Sequence, residues 1–237
     1  MQAGSLIYEG KAKQVYATSD PDIVRMTYKD DATAFDGAKK GTINNKGRIN
    51  NRIACMLFEM LGKKGIPTHL VEKPDDRNVL VRKLEMLPVE VVVRNVVAGS
   101  LAKRLGKEEG MELPSPILEL YYKNDDLHDP MINDYHALVM GWVTRDQLNT
   151  ITARALTINS VLQEFFAKIG IILVDFKLEF GLFQGQVLLG DEISPDTCRL
   201  WDQQSLEKLD KDRFRRDLGK EEEAYQEVVR RIEQALA

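Results

Sequence analysis

The chain has 237 residues, enough to bury a substantial core as one large domain or two small ones. Its net charge of −4 argues against broad nucleic-acid binding, which favours a basic surface, and its composition is ordinary for a soluble globular protein. We find no secretion signal and no apolar run of membrane-spanning length, so we expect a cytoplasmic protein without a membrane partner. Cys55 and Cys198 have no CxxC spacing and are expected to be idle thiols.

The first part of the chain is expected to be strand-rich, with one helix. Alternating or apolar runs bounded by turn residues predict strands at residues 14–17, 23–28, 66–71 and 78–84. Apolar residues recur at helical spacing between Ile49 and Leu61, and Gly62 is a suitable stop for that helix. Residues 85–88 interrupt the strand pattern and are expected to form a crossing point between two lobes.

The second part of the chain mixes strands and helices. Thr144 and Gln147 form a capping box before a long amphipathic helix. A β-rich lobe (1–87) joined to a larger α/β lobe (88–237) leaves a cleft, where ligands commonly bind. The other predicted elements are strands at 89–94 and 117–123 and helices at 100–105 and 221–237.

Residues 171–181 are the most informative segment, an apolar run that becomes strictly alternating. Alternate side chains of a strand share a face. Asp175, Lys177 and Glu179 are therefore predicted to point one way, and the apolar side chains between them to point into the core. Charged groups rarely stand at the end of a core strand unless they are paired, bound to metal or used in chemistry.

The next residues predict a hairpin with a turn at Gln184-Gly185. If the hairpin is centred near Gly185, Glu179 lies opposite Asp191, and two opposed carboxylates repel. A divalent cation would remove that repulsion, and Mg²⁺ typically takes one or two carboxylates together with substrate phosphates. The alternative is an amphipathic hairpin with solvated charges, but the flanking strands are too apolar for a plainly wet face.

Two other segments suit anion binding but also have ordinary explanations. Lys11 and Lys13 alternate with small residues at a strand-turn-strand tip, which suits phosphate or is simply a soluble surface. Arg94 ends an apolar strand and Ser100 is a candidate N-cap of the next helix, which suits phosphate or is an ordinary cap. Arg199 has the same ambiguity, because it could contact an anionic substrate or pair with a nearby aspartate.

Four motifs in this order resemble the phosphoribosylaminoimidazole-succinocarboxamide synthase (SAICAR synthetase) family. They are YEGKAK at 8–13, MLPVE at 86–90 leading to Arg94 and Ala98-Gly99-Ser100, LVDFKLEFG at 173–181, and GDE at 190–192 leading to RLWD at 199–202. The resemblance covers essentially the whole chain, and the second and third motifs are highly specific as a pair.

The resemblance implies a fold and a reaction. The fold is α+β, a small antiparallel β lobe akin to the protein-kinase N-lobe and a larger α/β lobe, with ATP in the cleft between them. The reaction joins L-aspartate to carboxyaminoimidazole ribonucleotide with ATP as co-substrate and Mg²⁺ as cofactor, in de novo purine biosynthesis. We expect an acyl-phosphate intermediate, because phosphorylation converts a carboxylate oxygen into a good leaving group. The resemblance also implies a homodimer.

The resemblance assigns site residues by ligand. The metal would be held by Glu179 and Asp191, as the hairpin pattern indicates independently. Catalysis would involve Lys177 and Asp175, the latter as a candidate proton acceptor. The ribonucleotide would be held by Arg94, Ser100, Asp129, Arg199 and Arg215. The nucleotide would contact Lys11, Ala12, Lys13, Arg82, Leu84, Met86 and Lys123.

Three competing functions make different predictions. A kinase-like phosphotransferase would need a catalytic loop of the His-Arg-Asp type, which we do not find. A nucleotide-sensing module would bind ATP without aspartate-dependent ADP release. An RNA-binding module is disfavoured by the acidic charge balance and by the lack of an aromatic RNP pattern.

Overall fold

A computed structural model of the chain describes residues 4–34 and 37–237. These residues form helices α1 (Lys46–Lys63), α2 (Gly99–Leu105), α3 (Asp134–Val139), α4 (Arg145–Lys168), α5 (Asp212–Arg215) and α6 (Glu221–Leu236). The strands are β1 (Leu6–Glu9), β2 (Lys13–Ala17), β3 (Ile23–Tyr28), β4 (Asp31–Ala34), β5 (Lys39–Thr42), β6 (Leu70–Glu72), β7 (Asn78–Arg82), β8 (Glu85–Val96), β9 (Glu112–Tyr122), β10 (Met131–Ile132), β11 (Ile171–Phe183), β12 (Gln186–Gly190) and β13 (Cys198–Asp202).

The strands build two large antiparallel sheets, which confirms the predicted α+β class. The first sheet has the order β1-β2-β3-β7-β6 and contains the predicted β2–β3 hairpin. The second has the order β10-β9-β8-β11-β12, and β13 pairs with the early part of β11 on the same edge as β12. A two-stranded sheet, β4-β5, stands apart from both.

The second sheet has one apolar face and one charged face, as the alternation in β11 predicts. Phe176, Leu178 and Phe180 lie in the main core, and α4 packs against β11 and β8. The capping box predicted for α4 is present: the Thr144 hydroxyl accepts from the Gln147 backbone N–H, and the Gln147 side chain accepts from the Thr144 N–H. The charged residues of β11 lie mid-strand rather than at its end, because the 13-residue strand continues to Phe183.

The predicted register of the β11–β12 hairpin is wrong by one residue. Phe183 pairs with Gln186, so Glu179 lies opposite Gly190 and not Asp191. The turn consists of Gln184 and Gly185, both at positive φ (49° and 78°), so the hairpin is centred between them rather than on Gly185. Two-residue hairpin turns with positive φ at both positions match the right-handed twist of the strands.

Three predicted boundaries also differ from the structure. Helix α1 runs through Gly62 to Lys63, and the left-handed residue is Gly65 (φ 80°). Residues 85–88 open β8 instead of interrupting the strands; the β8–β11 register shifts by two residues between Met86 and Glu90, and Pro88, which has no N–H, is tolerated at such an irregularity. Strand β6 begins only at Leu70.

The two large sheets share packing partners. Apolar residues of α1 such as Ile53 and Leu57 belong to the same core as β8, β11, α4 and α6, while Cys55 of α1 packs under the first sheet. Backbone hydrogen bonds join the chain before β6 to β12: the His69 N–H donates to the Leu189 carbonyl at 2.9 Å. The division into lobes 1–87 and 88–237 stays a prediction.

Within the described residues, no helix has both the length and the apolar character needed to cross a membrane.

Candidate active site

A cavity of about 670 Å³, here the larger cavity, lies between the first sheet and the charged face of the second. Its walls include every residue predicted for the nucleotide and for the metal: Lys11, Ala12, Lys13, Arg82, Leu84, Met86, Lys123, Glu179 and Asp191. Leu84 can lie on the wall of the larger cavity because the residues of β11 and β12 that it packs against are glycines, Gly181 and Gly190. A Cβ on Gly181 would lie 2.7 Å from the Leu84 Cβ, and one on Gly190 would lie 3.0 Å from a Leu84 methyl group.

A second cavity of about 350 Å³, here the smaller cavity, adjoins the first. It is lined by most of the residues predicted for the second substrate and for catalysis, namely Arg94, Asp129, Asp175, Lys177, Arg199 and Arg215. Both cavities are lined by Lys11, Glu90, Asp129, Lys177, Asp196, Thr197 and Lys211. Groups bound in the two cavities would therefore meet at a shared boundary.

Lys177 is the centre of the charged face. Glu90 of β8 lies directly opposite Glu179 of β11, so the opposed carboxylates are this pair rather than Glu179 and Asp191. The Lys177 ammonium donates to Glu90 at 2.8 Å and also contacts Glu179, which relieves their repulsion. Burial alone would lower the pKa of Lys177, but the surrounding carboxylates hold it well above its ordinary value. Lys177 is thus a fixed cation at the boundary of the cavities.

The same arrangement gives the two glutamates different proton affinities. Burial raises the pKa of Glu90 above its ordinary value. Burial would raise the pKa of Glu179 too, but Lys177 and Lys123 hold it below its ordinary value, and the Lys123 ammonium contacts the Glu179 carboxylate. Glu179 is therefore an ionised carboxylate at neutral pH.

Asp191 stands beside Glu179 in the larger cavity, directly after β12. Its backbone is left-handed (φ 53°), and the Lys13 ammonium contacts its carboxylate and lies 2.8 Å from that of Glu192. Burial would raise the pKa of Asp191, but Lys13 and then Lys177 hold it well below its ordinary value. Buried His69 lines the same wall, and burial lowers its pKa to about 3, so its imidazole is neutral.

The donor set of this wall fits a magnesium ion bound jointly with phosphates. Among the described residues there is no group of three histidine, cysteine or acidic side chains able to enclose a metal by themselves. Glu179, which is buried, and Asp191, which is partly exposed, are two ionised carboxylates in one cavity, and each is paired with lysines. Mg²⁺ commonly takes one or two carboxylates and completes its shell with water and phosphate oxygens, which matches this pair.

Arginines on the smaller cavity are held in place by buried carboxylates. Arg94 donates to Asp175 on the opposite strand at 2.7 Å and to Glu119 at 2.7 Å. Arg199 donates to the same Asp175 at 2.9 and 3.1 Å and to Asp212 at 2.9 Å. The buried carboxylates thereby fix the orientation of both guanidinium groups, and a fixed orientation suits the recognition of a phosphate or a carboxylate. Arg199 thus pairs with Asp175 and Asp212, not with Asp196 or Asp202.

Ser100 differs from its predicted position. The N-cap of α2 is Ala98, and Ser100 is the second residue of the helix. Its hydroxyl accepts from Arg94 at 3.1 Å and from Arg104 at 3.2 Å, and it is not among the residues lining either cavity. Gly99, just before it, allows Arg199 to approach closely, because a Cβ there would lie 2.4 Å from a guanidinium nitrogen.

Several residues of the site were not assigned from the sequence. Glu90 could have been found, since it is a lone carboxylate in a run of valines on β8. Glu192 follows Asp191 directly, yet its pairing with Lys13 depends on a strand far away in sequence. The remaining unassigned partners, whose role depends on tertiary contacts, are Glu119, Asp196, Lys211 and Asp212.

Comparison with known proteins agrees with this arrangement. A sequence model described as SAICAR synthetase matches residues 6–232. Phosphoribosylaminoimidazole-succinocarboxamide synthase of Desulfitobacterium hafniense (strain DSM 10664 / DCB-2) is 61% identical over 236 residues, covering 100% of this chain and 99% of the relative. The enzyme of the same name from Clostridium acetobutylicum is 58% identical and covers 98% and 99% of the two chains.

Solved structures that are similar to this chain also belong to SAICAR synthetases. A SAICAR synthetase in complex with ADP has a TM-score of 0.92 at 54% identity, covering 95% of this chain and 96% of that one. The phosphoribosylaminoimidazole-succinocarboxamide synthase of Ehrlichia chaffeensis has a TM-score of 0.95 at 46% identity, covering 97% and 98%. A family match over nearly the whole chain, together with relatives of this identity and coverage, leads to one conclusion: the chain belongs to the SAICAR synthetase family.

Proposed function

We propose that this chain is an ATP-dependent ligase that joins L-aspartate to the carboxylate of carboxyaminoimidazole ribonucleotide, giving ADP, phosphate and the succinocarboxamide of purine biosynthesis. The observation that carries the proposal is the shared boundary of the two cavities. One cavity has the lysines and carboxylates suited to a nucleotide, the other has arginines suited to an anionic ribonucleotide, and Lys177 lines both. The names of the relatives and the ADP bound to one of them support the same reaction.

The chemistry needs ATP because a carboxylate is unreactive towards an amine at neutral pH. In the proposed mechanism, a carboxylate oxygen of the ribonucleotide attacks the γ-phosphorus of ATP and ADP leaves. The aspartate amine then attacks the acyl carbon, loses a proton, and phosphate departs with one of the original carboxylate oxygens. Positioning and charge neutralisation supply most of the catalysis in phosphoryl transfer. Lys13 and Lys177, which are fixed cations on the larger cavity, are the groups proposed to stabilise that charge.

Magnesium is part of this proposal. Glu179 and Asp191 are the residues that would hold it, together with phosphate oxygens of ATP. When bound, Mg²⁺ neutralises charge on the phosphates as the γ-phosphoryl group is transferred. The lysines that pair with these carboxylates would also lie close enough to contact the phosphates.

Asp175 remains the proposed proton acceptor for the amine, with a qualification that comes from its contacts. Both of its oxygens accept N–H groups from guanidinium side chains, those of Arg94 and Arg199. These contacts support a second role, in which Asp175 orients the two arginines toward the ribonucleotide. The two roles have different kinetic signatures in an Asp175→Asn variant.

A homodimer and a cytoplasmic location complete the proposal. Exposed apolar side chains of α3 and its C-cap, Tyr135, Val139 and Met140, are suited to contact a second copy. Light scattering after size exclusion should give twice the monomer mass, and a monomer at micromolar concentration would contradict the dimer. The two buried, unpaired cysteines are consistent with a reducing compartment.

The proposed function is tested by ADP release with Mg-ATP and carboxyaminoimidazole ribonucleotide, measured with and without L-aspartate. We expect release that requires both co-substrates. ATP binding without such turnover would contradict the ligase and indicate a nucleotide-sensing module. Release that instead depends on a hydroxyl acceptor would indicate a kinase-like phosphotransferase.

A further inference from the structure

We propose that Lys211 binds a carboxylate of L-aspartate at the boundary between the two cavities. This inference rests on the proposed ligase function and names a residue for the one substrate that has none so far. It is carried by the position of Lys211, by the state of Asp196, its one ion-pair partner in the described part of the chain, and by the ligands already assigned to the other cations.

The position of Lys211 is fixed by its backbone. It directly precedes α5, and its N–H donates to the Pro195 carbonyl at 3.0 Å, which holds it beside Asp196. Its side chain is 13% exposed and lines both cavities. A ligand bound by Lys211 would therefore lie where the phosphoryl group, the acceptor carboxylate and the incoming amine have to meet.

The charge of Lys211 is compensated less well than the charges of Lys13 and Lys177. Its ammonium has one ion-pair contact among the described residues, with Asp196 Oδ2 at 3.4 Å. That same oxygen receives a closer bond from Lys46 at 2.8 Å, and Tyr225 donates to the other oxygen at 2.8 Å. By contrast, Lys13 and Lys177 each contact two carboxylates.

A largely buried ammonium whose one ion pair among the described residues is 3.4 Å long is poorly compensated, so the site favours an added anion. Burial, together with the nearby cations Lys46 and Arg215, lowers the pKa of Lys211 below its ordinary value, although Asp196 opposes the shift. A carboxylate delivered by a substrate would provide the missing partner. That carboxylate would accept hydrogen bonds from the Lys211 ammonium. Asp196 already accepts close hydrogen bonds from Lys46 and Tyr225 and lies 3.4 Å from Lys211.

The chemistry of the reactants identifies the anion. In the proposed function the ATP phosphates are assigned to Lys11, Lys13 and Lys123, which line the larger cavity. The ribonucleotide is assigned to Arg94, Arg199 and Arg215, and Lys177 to the charge of phosphoryl transfer. Of the described cations that line the smaller cavity, Lys211 is the one left without a ligand. L-Aspartate brings two carboxylates, and its amine is one carbon from the nearer of them, so an anchor at the boundary keeps the amine beside the acyl carbon.

The test compares Lys211→Met, which keeps most of the aliphatic stem but removes the charge, with Lys211→Arg, which keeps the charge. Lys208→Met is a matched control, because Lys208 is close in sequence, pairs with Glu109 at 3.2 Å and lines neither cavity. For each variant the KM values for aspartate, ATP and ribonucleotide would be measured. The inhibition constant of succinate, a dicarboxylate without the amine, would be measured too.

For Lys211→Met we expect the KM for aspartate and the inhibition constant of succinate to rise at least about tenfold, since a charged hydrogen bond is lost. The KM values for ATP and the ribonucleotide should stay within about twofold. Lys211→Arg should lie between wild type and Lys211→Met, and Lys208→Met should match wild type. If Lys211→Met does not fold, Lys211→Arg still provides the test, because its inhibition constant for succinate should be higher than that of the wild type.

Unchanged aspartate and succinate constants in folded Lys211→Met would overturn the inference, and so would an equal rise in the KM for ATP. Failure of the inference is distinguishable from failure of the proposed function. A wild-type protein that releases no ADP in response to aspartate refutes the ligase. A wild-type ligase whose aspartate KM is insensitive to Lys211 refutes only the assignment of this residue.

Discussion

At the scale of single residues, the site is a set of buried charges that compensate one another before any ligand binds. Glu90 and Glu179 face each other with Lys177 between them, and Asp191 faces Lys13. Burying unpaired charges is expensive, so each removal should leave a partner uncompensated. Mutations here act on ligand affinity and on local structure together, and each experiment needs a readout that separates the two.

Removing either candidate metal ligand should weaken magnesium-dependent ATP binding. In Glu179→Ala and Asp191→Ala we expect kcat to fall by about 10²–10³, the typical loss for one electrostatic group at a phosphoryl-transfer site. The measurement is ATP affinity by calorimetry across a magnesium titration. Glu85→Ala, at an exposed position on neighbouring β8, should behave as wild type. Unchanged magnesium dependence in both variants would show that these carboxylates do not hold the ion.

Asp175→Asn should slow turnover and leave ATP affinity nearly unchanged, because Asp175 lines the smaller cavity and contacts no predicted nucleotide residue directly. If Asp175 mainly orients Arg94 and Arg199, the KM for the ribonucleotide should rise as well. If it mainly accepts the proton, kcat alone should fall. Steady-state kinetics combined with ATP titration distinguishes the two, and equal losses of ATP affinity and of turnover would contradict both roles.

The sequence predicts which charged residues share a face of β11, but it does not predict their ion-pair partners. Alternation in residues 171–181 suffices to place Asp175, Lys177 and Glu179 on one face, because the side-chain period of a strand is fixed. Their partners come from β8, from β13 and from Lys123 directly after β9, and no local pattern specifies these. Lys211 was missed for the same reason, since its neighbours in sequence resemble a solvated helix face.

At the scale of elements, small irregularities decide which side chains enter the cavities. The β11–β12 turn at Gln184 and Gly185 sets a register that brings Glu179 opposite Gly190. The register shift around Pro88 lets β8 continue where an interruption was predicted. Sequence patterns indicate that a hairpin exists, but a one-residue change of its centre alters every pairing. The elements were therefore largely predictable, and their register was not.

A buried ion pair joins three elements beneath the site. Asp196, which follows β12, accepts from Lys46 at the start of α1 and from Tyr225 of α6. Burial would raise the pKa of Asp196, but Lys46 and Lys211 hold it well below its ordinary value. A carboxyl group whose pKa is depressed in the folded state stabilises the fold at pH values above its ordinary pKa of about 3.9. This stabilisation is lost as the pH falls from there toward the depressed pKa of the folded state.

Asp196→Asn should therefore destabilise the fold at pH 7 by about 3–5 kcal/mol, since it leaves Lys46 buried without its partner. The loss should shrink as the pH falls below about 4, because Asp196 of the unfolded wild type then becomes protonated, which stabilises the unfolded wild type and removes its advantage over the variant. Urea denaturation at several pH values measures both effects. Glu164→Gln is the control, because it breaks only an exposed pair with Lys168 and should change stability by less than about 1 kcal/mol. A pH-independent difference would contradict this account.

At the scale of the whole molecule, the cleft depends on one core shared by both halves of the chain. Helix α1 packs its apolar face into the core of β8, β11, α4 and α6, and its other side under the first sheet. We expect calorimetry to show a single unfolding transition with equal calorimetric and van't Hoff enthalpies. Two separated transitions would show instead that residues 1–87 and 88–237 fold as independent domains.

In the proposed reaction, the two cavities together activate a carboxylate with ATP and pass it to an amine. The most direct test labels both carboxylate oxygens of the ribonucleotide with ¹⁸O and follows the label during turnover with Mg-ATP and L-aspartate. We expect each phosphate released to carry one labelled oxygen and the amide to retain the other. Unlabelled phosphate accompanying product formation would contradict it, because the phosphoryl group would then never have been bonded to the carboxylate.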